Sequence, residues 1–402
     1  MNPILSIDVS KSNSYAAAFL SNSNPYTKPF RFNHSPSELN NLLSLLAEME
    51  NRTGTCPKVV LEATGNYSKP IATYFMSHGY DVVILNPLQT HELKKKTIRK
   101  VKTDPVDANR IAKVYYLNDF KPAKLPDDTI TNLRNICRQY EGFNILYTEA
   151  VLRLRSILDV VFPNYDKLFS SVSSKISLNF LSKFKTPKDV LNADFNDLVS
   201  ALIVRGRSKS WSIDKAKLIV ETAKESLPDN TSQQSNVYAL DEYIKLLTCI
   251  QGILADVRDQ MITWAKISPE FELLLSIPGV GDMTASTILS EIGDVTRFPT
   301  EKQLVAFAGL DPSVYQSGTF RASNNKVSKR GSTYLRKALY QATCAGIYRR
   351  SSGYSNTLLR AYYDKKIAEG KPSKVAIIAT SNKLLRIIYG ILKSSKPFNL
   401  NY

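Results

Sequence analysis

Residues 3–11, PILSIDVSK, point to the class of fold. A short apolar run between Pro3 and Ser10 reads as a buried strand. A dinucleotide-binding sheet would place a Gly-rich turn after its first strand, and Asp8-Val9-Ser10-Lys11 stands there instead. Working outward, residues 14–20 (SYAAAFL) and 28–33 (KPFRFN) read as two more strands, set apart by turn-forming Ser and Asn. A helix is expected from about Pro36, where Leu39, Leu42, Leu43, Leu45 and Leu46 form one broad face. A buried strand over 58–61 (KVVL), a helix over 67–78 and a strand over 82–85 complete the pattern.

Three strands followed by alternating helix and strand is the order of a ribonuclease-H-type α/β core. The segment KPAKLPDD, residues 121–128, ends that unit. Beyond it Leu133, Ile136, Tyr140, Phe143, Tyr147, Ala150, Leu154, Ile157 and Val161 recur every three or four residues until Pro163. A second run does the same through Leu240, Tyr243, Leu247, Ile250, Leu254, Val257, Met261 and Trp264. Such periods fit a coiled coil, within one chain or between two, and equally a pair of core helices in a bundle. Residues 164–236 read as helical and loop-rich, with a polar break at 226–236, and carry no assignable role.

Of the 402 residues, 53 are Lys or Arg and 36 are Asp or Glu, a net charge of +17. The segment from Thr319 to Tyr402 alone carries +15, the footprint expected of a surface that neutralises phosphates and, as the plainer alternative, of a solvated face that keeps the protein soluble. Residues 91–102 (HELKKKTIRKVK) add a smaller basic cluster. The 43% hydrophobic content excludes a disordered chain. No stretch approaches the ~18 apolar residues of a membrane span, and the N-terminus lacks the order of a signal peptide, so a cytoplasmic location without a membrane is expected. Four separate cysteines and three scattered histidines make a Cys/His zinc site improbable. A metal would need carboxylates, hence a hard cation such as Mg²⁺ or Mn²⁺.

The carboxylates that could hold it are Asp8 at the end of the first strand, Glu62 at the end of KVVL, and Asp104 with Asp107 in KTDPVDA. Pro105 suits a first helical position, which places both aspartates at one helix start and on one face. Converging, the four could bind one or two divalent ions and clamp a phosphodiester. Asp104 and Asp107 also fit a capping box, Asp8 a turn, and Glu62 a pair with a nearby Lys. Lys102 and Thr103 could position phosphate or merely flank the cap. Further on, Ile277-Pro278-Gly279-Val280-Gly281 between two apolar helices reads as a helix–hairpin–helix turn, with Gly279 and Gly281 allowing close backbone approach to a phosphate. Ser317 lies in a loop ahead of the basic helices, where a Ser-Gly pair is ordinarily a turn. Without a nearby histidine it would need activated phosphate and basic residues to act as a nucleophile. Tyr315 and Tyr334 are rival nucleophiles.

IDVSK, LEATGNY, ILNPLQ and KTDPVDA resemble the RuvC-like DEDD domain of bacterial insertion-sequence transposases, of the insertion-sequence one-ten family. SIPGVG, FAGLDPSVYQSG, VSKRGSTYLRKALY and YGILKSSKPF resemble the C-terminal transposase domain of the same family. The resemblance implies a RuvC-like N-terminal domain over 1–120, a helical coiled-coil region over 126–268 with an insertion at about 164–236, and a mainly α transposase domain over 269–402. It implies an RNA-guided recombinase in which Asp8, Glu62, Asp104 and Asp107 bind Mg²⁺ and Ser317 forms a covalent phosphoserine link to DNA. A bridge RNA, donor and target DNA, and dimers assembling to a tetramer with a composite site are its implied partners. Basic residues Arg321, Lys326, Lys329, Arg330, Arg336 and Lys337 are expected at the nucleic acid. A RuvC-like nuclease using water, or a non-catalytic nucleic-acid-binding protein, are the competing readings.

Overall fold

The computed structural model describes residues 2–87, 104–118, 120, 122, 127–229, 231, 233–312, 316–317, 320–321, 326–351 and 353–399. The chain divides into two compact units, Met1–Leu125 and Pro126–Tyr402.

The first unit is built on a six-stranded sheet. Strands β1 (Ile4–Val9), β2 (Asn13–Ser21), β3 (Asn24–Pro25) and β4 (Phe30–Asn33) precede helix α1 (Pro36–Thr53), then come β5 (Lys58–Glu62), α2 (Ser68–Ser77), β6 (Val82–Leu85) and α3 (Asp104–Leu117). The two-residue β3 is an addition to the three strands expected. β2 pairs antiparallel with β1, β3 and β4, whereas β5 lies parallel to β1 and β6 parallel to β5. Period-2 alternation gives each strand two faces. Leu5, Ile7, Val59 and Leu61 pack with Leu42, Leu46, Ile71 and Phe75 of α1 and α2. Ile4, Val60, Val83 and Leu85 pack with Ile111, Ala112, Val114 and Tyr115 of α3. Ser35 caps α1 through Glu38 N, and Gly54, at φ 66, ends it in the left-handed region that a side chain disfavours.

The second unit begins with α4 (Asp128–Val161), whose start is capped by the Asp127 carboxylate accepting from Thr129 N. Pro163 forbids its continuation. Short elements follow: a 3₁₀ turn (Tyr165–Lys167), α5 (Lys175–Lys183), α6 (Pro187–Asn192), α7 (Phe195–Ala201) and α8 (Lys209–Glu225). The long α9 (Gln233–Ala265) then returns along α4. The pair is antiparallel, because Leu133 shares a core with Met261 and Ala265 while Leu154 and Leu158 share another with Leu240 and Leu247. Both periodic runs of the sequence therefore meet inside one chain.

One end of this pair carries a lobe made of α5–α8 around Phe162, Tyr165, Phe180, Leu198 and Ile219. The other end carries the C-terminal core, formed by α10 (Glu270–Leu275), α11 (Asp282–Ile292), α12 (Glu301–Ala308), α13 (Thr333–Ile347), α14 (Thr357–Ala368) and α15 (Ser373–Ser394). Two small antiparallel hairpins interrupt it: β7 (Gln316–Ser317) with β8 (Phe320–Arg321), and β9 (Arg349–Arg350) with β10 (Gly353–Tyr354). Helix α15 corrects one expectation, since it is long and apolar enough to cross a membrane by length and composition. Its Ala376, Leu384, Leu385 and Ile388 are buried in the protein core instead.

Candidate nucleic-acid site

The carboxylates of the first unit gather on one side of its sheet. β1 and β5 run in parallel register through Ile7 opposite Leu61, so the next residues, Asp8 and Glu62, leave neighbouring strand ends together. Alternation puts both on the face that Ile4 and Val60 present to α3. Asp107 lies on the stripe of α3 that turns Ala108, Ile111 and Ala112 to that face, and it is buried. Its Oδ1 accepts from Arg110 Nη1 at 2.6 Å, a pair that sequence reasoning misses although its three-residue spacing is visible. Asp104 begins α3, but its side chain lies outside the described residues, as do Lys102 and Thr103.

Hard oxygens of this kind suit Mg²⁺ or Mn²⁺. Beside Glu62, Thr64 Oγ1 is buried without a hydrogen-bond partner among the described residues, which marks a polar position open to a ligand or water. Among the described residues, however, no three His, Cys, Asp or Glu side chains stand close enough to hold a metal. Asp8, Glu62 and Asp107 therefore share a face without forming a ligand cluster by themselves.

In the second unit the nucleophile candidate Ser317 ends β7, paired with Phe320 across the hairpin. The side chains of Ser317 and Arg321 lie outside the described residues, as does Tyr315. The following loop is strapped to the end of α12. Ser328 N donates to Asp311 O at 2.8 Å, Lys329 N to Gly309 O at 3.3 Å and Ser332 N to Phe307 O at 2.8 Å. Gly331 has no room for a Cβ, which would collide with the Phe307 carbonyl. Lys326, Lys329 and Arg330 are exposed along this strap. Arg336 and Lys337, by contrast, are engaged within the chain. Arg336 Nη1 donates to Ala308 O at 2.9 Å, and Lys337 pairs with Glu141 of α4.

What holds the start of α13 is a charge network around one buried acid, which sequence reasoning misses. Ser332 caps α13 by accepting from Leu335 N, and its hydroxyl donates to Glu291 Oε2 at 2.8 Å. Glu291, buried on α11, also accepts from Arg138 Nε at 3.1 Å and Nη2 at 3.3 Å. Arg138 lies over the Tyr334 ring at 5.1 Å, and Arg297 Nη2 donates to the Glu291 carbonyl at 3.2 Å. Burial holds the Arg134 and Arg297 guanidinium groups below their ordinary values, while the nearby Glu291 opposes that shift. The signal in the sequence is a single acid inside the apolar run of TILSEIG. Tyr334, a rival nucleophile, has its ring occupied by this network.

The Pro-Gly turn serves packing first. Gly279, at φ 100, sits so near α13 that a Cβ would fall 2.7 Å from Gly346 Cα. Asn356 Nδ2 donates to Pro278 O at 3.1 Å and ties the same turn to α14. Gly281 remains open just ahead of α11, with nothing within 4 Å of the position that a methyl group would take there.

Carboxylates at adjacent strand ends of a mixed sheet in the first unit, and a basic strap on the helical body of the second, are parts that an enzyme working on DNA would use. Residues 5–163 match a family described as transposase, of the DEDD insertion-sequence type, and residues 271–364 match the transposase IS116/IS110/IS902 family. The chain belongs to the IS110 family of insertion-sequence transposases. It is 24% identical to a pilin gene-inverting protein of Moraxella bovis over 85% of this chain and 81% of that one. It is 21% identical to a 43.6 kDa protein of insertion element IS110 from Streptomyces coelicolor, over 89% and 87% of the two chains. A transposase of insertion sequence element IS1111A from Coxiella burnetii is 29% identical over 39% of this chain and 42% of its own.

Proposed function

We propose that this transposase is an RNA-guided DNA recombinase that cuts and rejoins strands through a covalent serine–phosphate bond. The observation that carries the reading is the order of parts. A carboxylate face on β1, β5 and α3 lies within the first family match, and Ser317 on a hairpin ahead of the strap and α13 lies within the second. The antiparallel β4-β2-β1 segment followed by parallel β5 and β6, with α3 across them, supports a ribonuclease-H-like (RuvC-like) fold for the first unit. The names of the relatives, a gene inverter and several transposases, support strand exchange rather than simple cutting.

In this reading Asp8, Glu62, Asp104 and Asp107 hold a divalent cation, Mg²⁺ or Mn²⁺. When bound, it supplies positive charge that polarises a phosphodiester. The Ser317 hydroxyl attacks phosphorus, forming a serine–phosphate ester. The deoxyribose oxygen departs and takes up a proton. The reverse attack by a deoxyribose hydroxyl restores the phosphodiester and frees the serine, so no ATP is consumed. Lys326, Lys329 and Arg330 bear on the phosphates from the strap, by charge rather than by base recognition. Exposed apolar side chains midway along the long helices, Ile145, Leu146 and Leu152 on α4 and Leu246 on α9, support coiled-coil pairing between chains, with dimers joining to a tetramer.

The decisive experiment looks for a protein–DNA adduct that survives denaturation, together with the RNA that co-purifies. Wild type should form the adduct, Ser317→Ala should not, and Asp8→Ala or Glu62→Ala should form it far more slowly. An adduct retained by Ser317→Ala would remove the serine assignment. Cleavage without any adduct would favour water as the nucleophile. Absence of a discrete RNA encoded beside the gene would end the guided part of the reading.

A further inference from the structure

The lobe of α5–α8 carries a patch that the proposed strand exchange does not use. Its parent segment, residues 126–318, is acidic, with 20 basic and 24 acidic residues. Within it, residues 203–217 (IVRGRSKSWSIDKAK) hold five basic residues against Asp214 alone, so the positive charge here runs against its surroundings. The patch joins α7 to α8. Arg205, Arg207, Lys209 and Lys217 are exposed, and none forms a salt bridge among the described residues. Of the acids of α7, Asp194 caps its opposite end, a helix length of about 10 Å away, and Asp197 lies about 6 Å from the near end. The first turn of α8 contains no acid, so its positive dipole end adds to the same field.

Two of the five cationic side chains, Arg207 and Lys215, lie against aromatic rings. Arg207 lies over the Trp211 ring at 5.0 Å, and Lys215 stands 6.0 Å from that ring and 5.4 Å from Phe169. Lys215 also donates to the Leu168 carbonyl. Trp211 is therefore covered by cations and offers no free platform for an unpaired base. The patch presents charge without stacking, which suits the regular phosphate array of a duplex better than a single strand.

Its position gives the patch a purpose. The lobe core gathers around Leu158 of α4, and the C-terminal core around Leu133 of the same helix. At 1.5 Å per residue these are roughly 37 Å apart. One turn of DNA is about 34–36 Å. We infer that residues 203–217 form a second docking surface for duplex DNA, contacting its backbone about one helical turn away from the duplex held at the C-terminal basic surface. This rests on the transposase reading, since it presumes DNA at that surface.

The test uses the full-length protein, a random-sequence DNA hairpin with a 6-base-pair stem and a 30-base-pair DNA duplex across a salt series, with a 30-base-pair RNA duplex as comparison. The variant is Arg205→Gln/Lys209→Gln/Lys217→Gln, which leaves the packed Arg207 and Lys215 in place. Its melting temperature should match wild type. On the 30-base-pair DNA its affinity should fall about 10- to 100-fold, and the slope of log K against log salt should decrease by about 2–3. On the 6-base-pair hairpin, about 20 Å long and too short to reach both surfaces, it should bind like wild type. Wild-type affinity and slope on the long duplex would overturn the inference, as would an equal loss on both lengths or a loss confined to RNA. Wild-type protein that bound neither DNA would remove the transposase reading itself and this inference with it. A variant that melts early is replaced by Arg205→Lys/Lys209→Arg/Lys217→Arg, which must keep wild-type binding for the charge argument to stand.

Discussion

Glu291 is a carboxylate sunk in an apolar helix, and its two oxygens serve Arg138 and Ser332 together. Removing it frees the cap of α13, while Arg138, with 43% of its side chain exposed, regains water, so Glu291→Ala should cost about 1–3 kcal/mol. Glu291→Gln keeps an acceptor for Ser332 and should cost less. Urea unfolding of both variants ranks them, and equal costs would argue against the ion pair. Lys329 poses the opposite case. Its φ of 54 lies in the left-handed region, which costs a residue with a side chain about 1 kcal/mol. Lys329→Gly should therefore stabilise the fold by up to roughly that amount. The same change should lower the salt slope of duplex binding by about one, if the lysine meets a phosphate. A variant that is both less stable and unaltered in binding would contradict both halves. Of the candidate residues, Asp8, Glu62 and Asp107 can be placed from the sequence because each stands near the end of a recognisable element. Glu291 cannot, because its partners Arg138 and Ser332 lie 153 and 41 residues away in the chain.

Elements differ in how far their sequence betrays them. β1, β5 and β6 are apolar runs closed by turn residues, and α4 and α9 sustain their period over more than thirty residues. Both kinds can be placed from pattern alone. Helices α6 and α7, of six and seven residues, are too short to show a helical period. Their caps, Thr186 and Asp194, are the residues that fix them, and packing against α8, with α5 beside α7, makes them stable. Thr300 shows the converse, since it takes the cap position of α12 without making a side-chain cap hydrogen bond. The Pro-Gly turn is visible as a turn, yet its closest neighbour is α13. Gly279→Ala adds a methyl against the Gly346 backbone at a φ that disfavours any side chain. Strain and overpacking together should cost about 2–4 kcal/mol. Gly281→Ala, with open space around it, should cost under about 1 kcal/mol. Comparing the two melting temperatures separates a packing glycine from one free to meet a ligand. A similar loss in both would show that the turn as a whole, rather than the approach to α13, sets the cost.

At the scale of the molecule, charge and packing are divided along the chain in different ways. The basic excess is plain in the sequence because it is a count, whereas the two units emerge only from contacts between distant residues. The first unit has its own cores on both faces of its sheet, and the second encloses the lobe and the C-terminal core. Residues 126–402 hold 37 basic and 26 acidic residues, so most of the net charge of +17 travels with that unit. All four carboxylates proposed to hold a metal stay behind in residues 1–125. A fragment covering residues 126–402 should therefore unfold cooperatively by itself, since no core is cut. It should bind duplex DNA with nearly the salt slope of the full chain, because slope counts neutralised phosphates. Strand cleavage, with or without Mg²⁺ or Mn²⁺, should be lost entirely. Calorimetry, salt titration and a cleavage assay on the same preparation test the three parts together. A fragment that fails to melt cooperatively would mean the units stabilise one another, and one that still cleaves would take the carboxylate face out of the chemistry.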